Sequence, residues 1–440
     1  MPFVLYVLAL AVFAQGTSEF MLSGLVPDLA AELAVSVSAA GSLTSAFAVG
    51  MIVGAPLMAV LSRRWNRRRA LLGFLCAFVL VHAVGAVTTS FTVLLATRVA
   101  GALANAGFLA VALTAAAGMV PPDAKGRATS VLLGGVTLAC VAGVPAGALL
   151  GQAWGWRSAF WAVALVSLPA LFALLRSLPG PQDARAQAQA QAQAQEQEQE
   201  QRQHTREQAQ ARHTGPEPGS VRGELRALRA PRLLVTLLLG ALVNGATFCT
   251  FTYLAPLITD VAGFPDGWVP VLLALFGLGS FLGVTAAGRV ADTHPLRLLA
   301  AGGSALLGGW VLFALTAGHQ IAAILLVLVQ GTLSFAVGST LISQALYAAT
   351  SAPTLSGGYA TAALNVGAAL GPWAGGVALS AGLGYRAPLW VSALLVALAL
   401  TVGGAAWAVA TRRTPVGAPA ASAATAGTPP ATGAPPSRPR

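Results

Sequence analysis

Three landmarks of this chain return at one spacing, and that repeat restricts the possible folds more than any single motif. Pro27, near the end of the first apolar run, is matched by Pro256, and 256 − 27 = 229. Gly155-Trp156-Arg157 with Trp161 is matched by Gly384-Tyr385-Arg386 with Trp390, again 229 residues later. Arg63, in a basic turn, falls at the same offset on Asp292 of Gly288-Arg289-Val290-Ala291-Asp292. The same order of elements therefore occurs twice, which is the mark of a parallel internal duplication.

Each copy is too apolar to be soluble. Hydrophobic residues make up 56% of the 440 and charged residues only 9%, too little polar surface to keep a water-soluble domain wet. Stretches of about 20 apolar residues, enough to cross a bilayer, recur over 4–26, 40–61, 70–88, 92–119, 127–150, 158–177, 233–258, 268–290, 297–316, 321–347, 356–380 and 387–410. Backbone groups in lipid must be satisfied within their own segment, so each stretch is expected to be a helix. The expectation is an all-α membrane protein with twelve transmembrane helices in two pseudo-symmetric six-helix bundles, 1–178 and 232–412. Between them, 179–231 reads as a low-complexity cytoplasmic linker, with alternating Ala-Gln and Glu-Gln over Ala186–Gln203 and an amphipathic basic stretch at Leu225–Arg232. Residues 413–440, rich in Ala, Pro and Thr, read as a disordered tail. The first span lacks the basic lead of a signal peptide, and its Pro27 has a partner in the seventh, so it is expected to stay in the mature protein.

A net charge of +11 raises nucleic acid as a partner, but its placement argues against that. Arg63, Arg64, Arg67, Arg68 and Arg69 follow the second span, Lys125 and Arg127 the fourth, and Arg297 the eighth. Loops of the other side hold Asp28, Glu32, Asp260 and Asp266, with Arg157 and Arg386 as the positive charges. The asymmetry is a topology signal that places both termini and the linker in the cytoplasm, in a multi-pass protein of the cell membrane. Cys76, Cys140 and Cys249 fall inside spans and read as small packing residues. The partners expected are the lipid bilayer, protons and a small molecule, with no nucleic acid, no cofactor, no metal and a monomeric chain.

Ionisable groups inside spans are functional candidates by default. Glu19 is the acid well inside a helix, about eight residues or about 12 Å from the outer end of span 1. Arg98 in span 4 lies at an overlapping depth, so an ion pair or a shared water network is geometrically open. A carboxyl poised between burial, which favours its neutral form, and an arginine, which favours its charged form, can take up and release a proton. Glu19 is therefore the candidate proton-coupling acid, with a structural or substrate contact as the alternative; Arg98 is either its partner or a helix-positioning donor. His82 reads as a packed or interfacial histidine and Asp28 as a solvated residue of the outer mouth. Gly143-Val144-Pro145-Ala146-Gly147 joins a missing backbone donor to small neighbours, and span 11 answers with Gly371-Pro372 and Gly375-Gly376, as paired kinks of a gate or as simple bends. Gln15, Asn105, Phe108, Asn244, Phe248, Phe251 and Asn365 are candidate linings of a central cavity suited to a largely neutral, amphiphilic cargo. No nucleotide-binding loop, metal-ligand spacing or catalytic constellation is present in the sequence, so an enzyme is not expected and uphill transport would draw on a gradient.

These residues resemble the major facilitator superfamily, in its drug:proton antiporter branch with twelve spans, over 1–412. Arg98 with Gly101 is similar to that family's span-4 arginine motif, associated with proton coupling. Gly143-Val144-Pro145-Ala146-Gly147 resembles its antiporter motif, and Gly288-Arg289-Val290-Ala291-Asp292 the loop motif whose Asp latches helices on the cytoplasmic side. The first copy departs, since Arg63 stands where the family usually has Asp. Longer strings, Phe13–Leu22, Leu43–Met51, Leu103–Leu113 and Tyr359–Ala369, resemble chloramphenicol-resistance efflux proteins of streptomycetes. The resemblance implies antibiotic resistance by proton-coupled export of chloramphenicol, a neutral nitroaromatic amide alcohol, through alternating access. Export of an endogenous sugar, purine or nucleoside, or a non-transporting membrane sensor on the same framework, are the alternatives.

Overall fold

The computed structural model describes residues 2–61, 65–121, 125–177, 230–290, 294–348 and 356–413. Among these are the twelve helices long and apolar enough to cross a membrane that the sequence calls for. They are α1 (Phe3–Phe20), α2 (Val37–Leu61), α3 (Arg67–Val87), α4 (Phe91–Gly118), α5 (Lys125–Leu138 continued as Val144–Trp154), α6 (Arg157–Ser177), α7 (Pro231–Thr252), α8 (Val269–Val290), α9 (Pro295–Thr316), α10 (Gln320–Ala348), α11 (Ser356–Ser380) and α12 (Ala387–Arg413). The Ala-Gln linker, the tail beyond Arg413, Arg63, Arg64 and Asp292 lie outside the described residues.

Three details depart from simple spans. α1 tightens at Met21–Gly24 into a 3-10 turn, and a separate short helix, Val26–Glu32, follows with Pro27 in its first turn, where a missing N–H costs nothing. α5 runs on to Trp154 and contains a π turn over Ala139–Gly143. Pro145 cannot donate to the carbonyl of Val141, and the wide turn just before it takes up the mismatch that a proline kink would otherwise express. A second π turn, Leu257–Val261, directly follows Pro256.

The duplication is visible in the packing. α1 lies on α5 as α7 lies on α11, α2 on α4 as α8 on α10, and α3 on α6 as α9 on α12. The repeated Gly-aromatic-Arg motif forms the turns into α6 and α12. Gly155 and Gly384 adopt φ of 78° and 74°, which side-chain-bearing residues avoid. Lipid offers helices no hydrophobic reason to associate, so close approach of small residues carries the packing. On α5, Gly135, Ala139, Gly143, Gly147 and Gly151 recur every fourth residue and receive Ala9, Gly16, Thr17, Met21 and Leu25 on and beyond α1. On α11, Gly367 and Gly371 meet Gly245 backbone to backbone, and Gly375 meets Cys249 and Tyr253. α2 brings Gly50 and Gly54 onto Ala102 and Ala106 of α4.

The bundles meet along a seam built from α2 on α11 and α5 on α8. These two contacts exchange under the repeat, as a pseudo-twofold axis requires. We call the face carrying both ends of the described chain the terminal face. At the other end, the opposite face, Ser38 Oγ donates to the Gly376 carbonyl at 2.8 Å and Gln152 Nε2 to the Asp266 carbonyl at 2.6 Å. The Tyr253 ring covers Gly41, and deeper in the seam Gly277 lies on the Cys140 carbonyl while Phe248 packs with Ala48, Ala368 and Ala369. On the same face Arg157 pairs with Glu32, donates to the Thr88 carbonyl at 2.9 Å and lies 4.4 Å from the Trp156 ring centre. The terminal face carries the exposed Arg67, Arg69, Arg127 and Arg297, and Arg68 ties α3 to the Leu175 carbonyl at 2.6 Å.

A methyl group at Gly143 would overlap Thr17 Oγ1, whereas one at Gly134 would meet nothing within 4 Å. Gly143→Ala is therefore expected to destabilise the α1–α5 contact by about 1–3 kcal/mol and Gly134→Ala to leave it unchanged, as read by thermal unfolding in detergent. Equal melting of the two variants would contradict the packing. At the seam, partial burial and the charge of Asp266 push the Asp28 carboxyl above the ordinary aspartate range. Asp28 and Asp266 come from different bundles, so their repulsion across the closed seam is relieved when Asp28 is protonated, and closure weakens as pH rises through and above the ordinary aspartate range. A fluorescent pair spanning the opposite face should draw together on acidification in the parent chain, and Asp28→Asn should flatten that response; an unchanged pH response in Asp28→Asn would contradict it.

Candidate functional site

The site grows from the last turn of α1. Apolar residues at 5, 8 and 11 bury one stripe of that helix, and the same stripe continues through Gln15 to Ser18. Ser18 is fully buried, so its hydroxyl and its carbonyl, freed where the α-helix gives way to the 3-10 turn, need partners. Arg98 of α4 supplies them: Nη1 donates to Ser18 Oγ and Nη2 to the Ser18 carbonyl, both at 2.9 Å. Its guanidinium carbon stands 4.4 Å from the centre of the Phe47 ring on α2, an arrangement that offsets part of the cost of burying the charge. Ser18 Oγ also lies 2.6 Å from His82 Nε2 on α3, and His82 Nδ1 lies 2.7 Å from the Phe78 carbonyl. Four helices thus meet at one polar cluster inside the first bundle.

Glu19 follows Ser18 and is partly exposed. Arg98 and the Cys140 thiol, in the π turn of α5, are near enough to be felt by its charge. The ion pair with Arg98 that the sequence left open does not form here: among the described residues the ion pair is Arg157–Glu32. Arg98 rests instead on the backbone and hydroxyl of the residue beside Glu19.

The next residue, Phe20, begins a chain of rings that crosses between the bundles. Its ring centre is 5.6 Å from Phe248 on α7, Phe248 is 6.3 Å from Phe251, Phe251 is 4.7 Å from Phe276 on α8, and Phe276 is 6.2 Å from Phe335 on α10. Phe248 and Phe251 were expected at a cavity; Phe20, Phe276 and Phe335 join them. Phe108 does not. It is fully buried in the core of the first bundle with Leu8, Leu71 and Phe74. Gln15 is buried with an amide that has no hydrogen-bond partner among the described residues. Asn105 is buried on α4, two turns from Arg98. Asn365 Nδ2 donates to the Thr361 carbonyl of its own helix at 2.9 Å, and Asn244 Nδ2 ties α7 to the Leu364 carbonyl of α11 at 2.7 Å. Gly143 and Gly147 face α1, so the kink motif of α5 is the surface that seats the helix carrying Glu19. Arg289 is exposed on the terminal face, and Gly288 has open space around it. A cavity of about 400 Å³ is lined by α7, α9, α10 and α12 of the second bundle, with Ser304 among otherwise mostly apolar residues.

Ser18, Phe20, Phe47, Phe276 and Phe335 are members of the site that sequence reasoning passed over, and His82, read there as a packed or interfacial histidine, packs on Phe78 and also reaches Ser18. Ser18 stands in the quoted run Gly16-Thr17-Ser18-Glu19-Phe20, and His82 is a polar residue at lipid depth; only their azimuth about the helices brings them to Arg98.

Known proteins place this architecture. The Major Facilitator Superfamily profile matches residues 8–363. The chain is 56% identical to the chloramphenicol resistance protein of Streptomyces lividans over 402 residues, 91% of this chain and 95% of that one. It is 33% identical to the inner membrane transport protein YdhP of Escherichia coli K12 over 399 residues, 90% and 94% of the two chains. Its fold superposes on a bacterial homologue of the human lysosomal transporter Spinster, crystallised in an inward-facing, unoccupied conformation. The TM-score is 0.69 at 18% identity, covering 93% of this chain and 96% of that one. With twelve spans, two bundles related by a repeat and a profile match over most of its length, this multi-pass membrane protein belongs to the Major Facilitator Superfamily of transporters.

Proposed function

We propose that this chain exports a small, largely neutral drug, chloramphenicol above all, across the cell membrane in exchange for protons. The observation that carries the reading is the adjacency of Glu19 and Phe20: the titratable group and the first ring of the inter-bundle chain are consecutive residues of α1. A proton on or off Glu19 changes the charge beside the ring platform, so proton and cargo compete for one environment. Stacked phenylalanines suit a nitroaromatic ring, and the amides of Gln15 and Asn105 suit a neutral amide alcohol. The 56% identical relative is named for resistance to this drug.

The basic terminal face is the cytoplasmic one by the positive-inside rule, so both termini are inside. The seam bonded at the opposite face is then closed toward the exterior. In the exchange, Glu19 takes a proton when the seam opens outward and drug departs; facing inward, it releases the proton and the rings accept drug. Exchange of a proton for a neutral molecule moves charge, so membrane potential and pH gradient both drive it. A single chain supplies every group in this cycle.

Labelled chloramphenicol accumulation in a drug-sensitive host tests the reading. The parent chain should hold accumulation below the empty-vector level, and a protonophore or Glu19→Gln should return it to that level. Phe248→Ala should export with a half-saturating concentration roughly three- to tenfold higher, from the loss of a ring contact. Accumulation equal to empty vector with well-expressed parent protein would contradict the drug assignment; full export by Glu19→Gln would contradict the coupling assignment.

A further inference from the structure

We propose that Ser18 and His82 are positioning residues that hold the Arg98 guanidinium beside Glu19 without letting it bond to the carboxylate. The inference rests on the reading of Glu19 as the proton carrier and specifies how its arginine is controlled.

The hydrogen-bond directions follow from the donors available. The Phe78 carbonyl only accepts, so His82 Nδ1 donates to it at 2.7 Å. Arg98 Nη1 only donates, so Ser18 Oγ accepts from it at 2.9 Å. With the Ser18 hydroxyl donating to His82 Nε2 at 2.6 Å, each link of the line Arg98–Ser18–His82–Phe78 has one donor and one acceptor. The bond to His82 turns the Ser18 hydroxyl so that a lone pair faces Arg98. The imidazole is itself fixed, 97% buried, with its ring centre 4.1 Å from that of Phe78 and 5.9 Å from that of Phe160. Arg98 Nε has no hydrogen-bond partner among the described residues, so the guanidinium is held through Nη1 and Nη2 alone.

Few charged groups compete. Facing His82 are Arg98 from α4 and the Ser18 hydroxyl from α1, with the ring of Phe160 from α6. Facing Glu19 are Arg98 and the Cys140 thiol of α5. Losing the Ser18–His82 bond frees the hydroxyl to rotate, weakens the Nη1 anchor and lets Arg98 pair with Glu19. The carboxylate then stays charged at lower pH, because an adjacent opposite charge favours the ionised form.

Purified protein in proteoliposomes, assayed for drug–proton exchange against pH and for drug binding, tests this. His82→Ala should move the pH profile of exchange about one unit toward acid with drug affinity within twofold of the parent. Ser18→Ala, a smaller change, should reproduce that shift, and the double variant should go no further, because the two act as one contact. His82→Gln, whose amide can accept from Ser18 and donate to Phe78, should restore the parent profile. A parent-like profile in both His82→Ala and Ser18→Ala overturns the inference. So does a His82→Gln profile matching His82→Ala, since that would give the imidazole a proton-carrying role. Glu19→Gln separates the two layers: if it retains parent-like exchange, the proton-carrier reading fails; if it abolishes exchange while the His82 and Ser18 variants are parent-like, only the positioning inference fails.

Discussion

A guanidinium buried in the apolar interior of a membrane bundle sets the terms for the rest of this molecule. Removing one partner from a buried charge typically costs about 3–5 kcal/mol, so the helices around Arg98 are constrained to bring it donors' acceptors and a ring. Ser18 provides two oxygens and Phe47 an aromatic face. That requirement fixes the end of α1 against α4 and α2. The glycine ladder of α5 fixes its other flank by admitting Gly16, Thr17 and Met21 closely. Glu19 and Phe20, the next residues along, inherit their positions from these two contacts. The function proposed for the chain therefore depends on where one arginine can be satisfied.

The duplication shows what the second copy did with the same framework. At the 229-residue offset, Glu19 corresponds to Phe248, Gln15 to Asn244, Phe47 to Phe276, His82 to Val311 and Arg98 to Val327. The register holds on α1 and α7, where Gly16 and Gly245 make equivalent contacts, and slips by one residue on their partners, where Ala139 of α5 answers to Gly367 of α11. Every ionisable member of the first cluster is apolar in the second. Val327, Phe276 and Phe251 line a void of about 10 Å³ there, too small for a charged side chain. The ring of Phe248 stands at the position equivalent to the Glu19 carboxylate and reaches back to Phe20. One copy thus retains charge and the other presents aromatic surface, with the seam between them.

How much of this was legible in the residues follows from which forces leave a one-dimensional trace. Lipid demands long apolar segments, so the twelve helices and their duplication were readable almost to their ends. Charges are rare at membrane depth, so Glu19 and Arg98 stood out. Depth along a helix can be counted, but direction around it cannot be counted across helices whose packing is unknown. Phe108 was therefore assigned to a cavity although it points into the bundle core, and Ser18 and His82 went unconnected to Arg98. Proline marked a bend in α5, yet the π turn before it depends on packing against α1 and α8.

The central claim is that Glu19 couples drug movement to proton movement, and it is tested most directly by reversing the exchange. Parent protein and Glu19→Gln would be reconstituted in vesicles containing a pH-sensitive dye, with a chloramphenicol gradient and no initial pH difference. The account predicts that drug flowing down its gradient drives protons the opposite way in the parent chain and moves none in Glu19→Gln. Drug flux without proton movement in the parent, or equal proton movement in the variant, would contradict it.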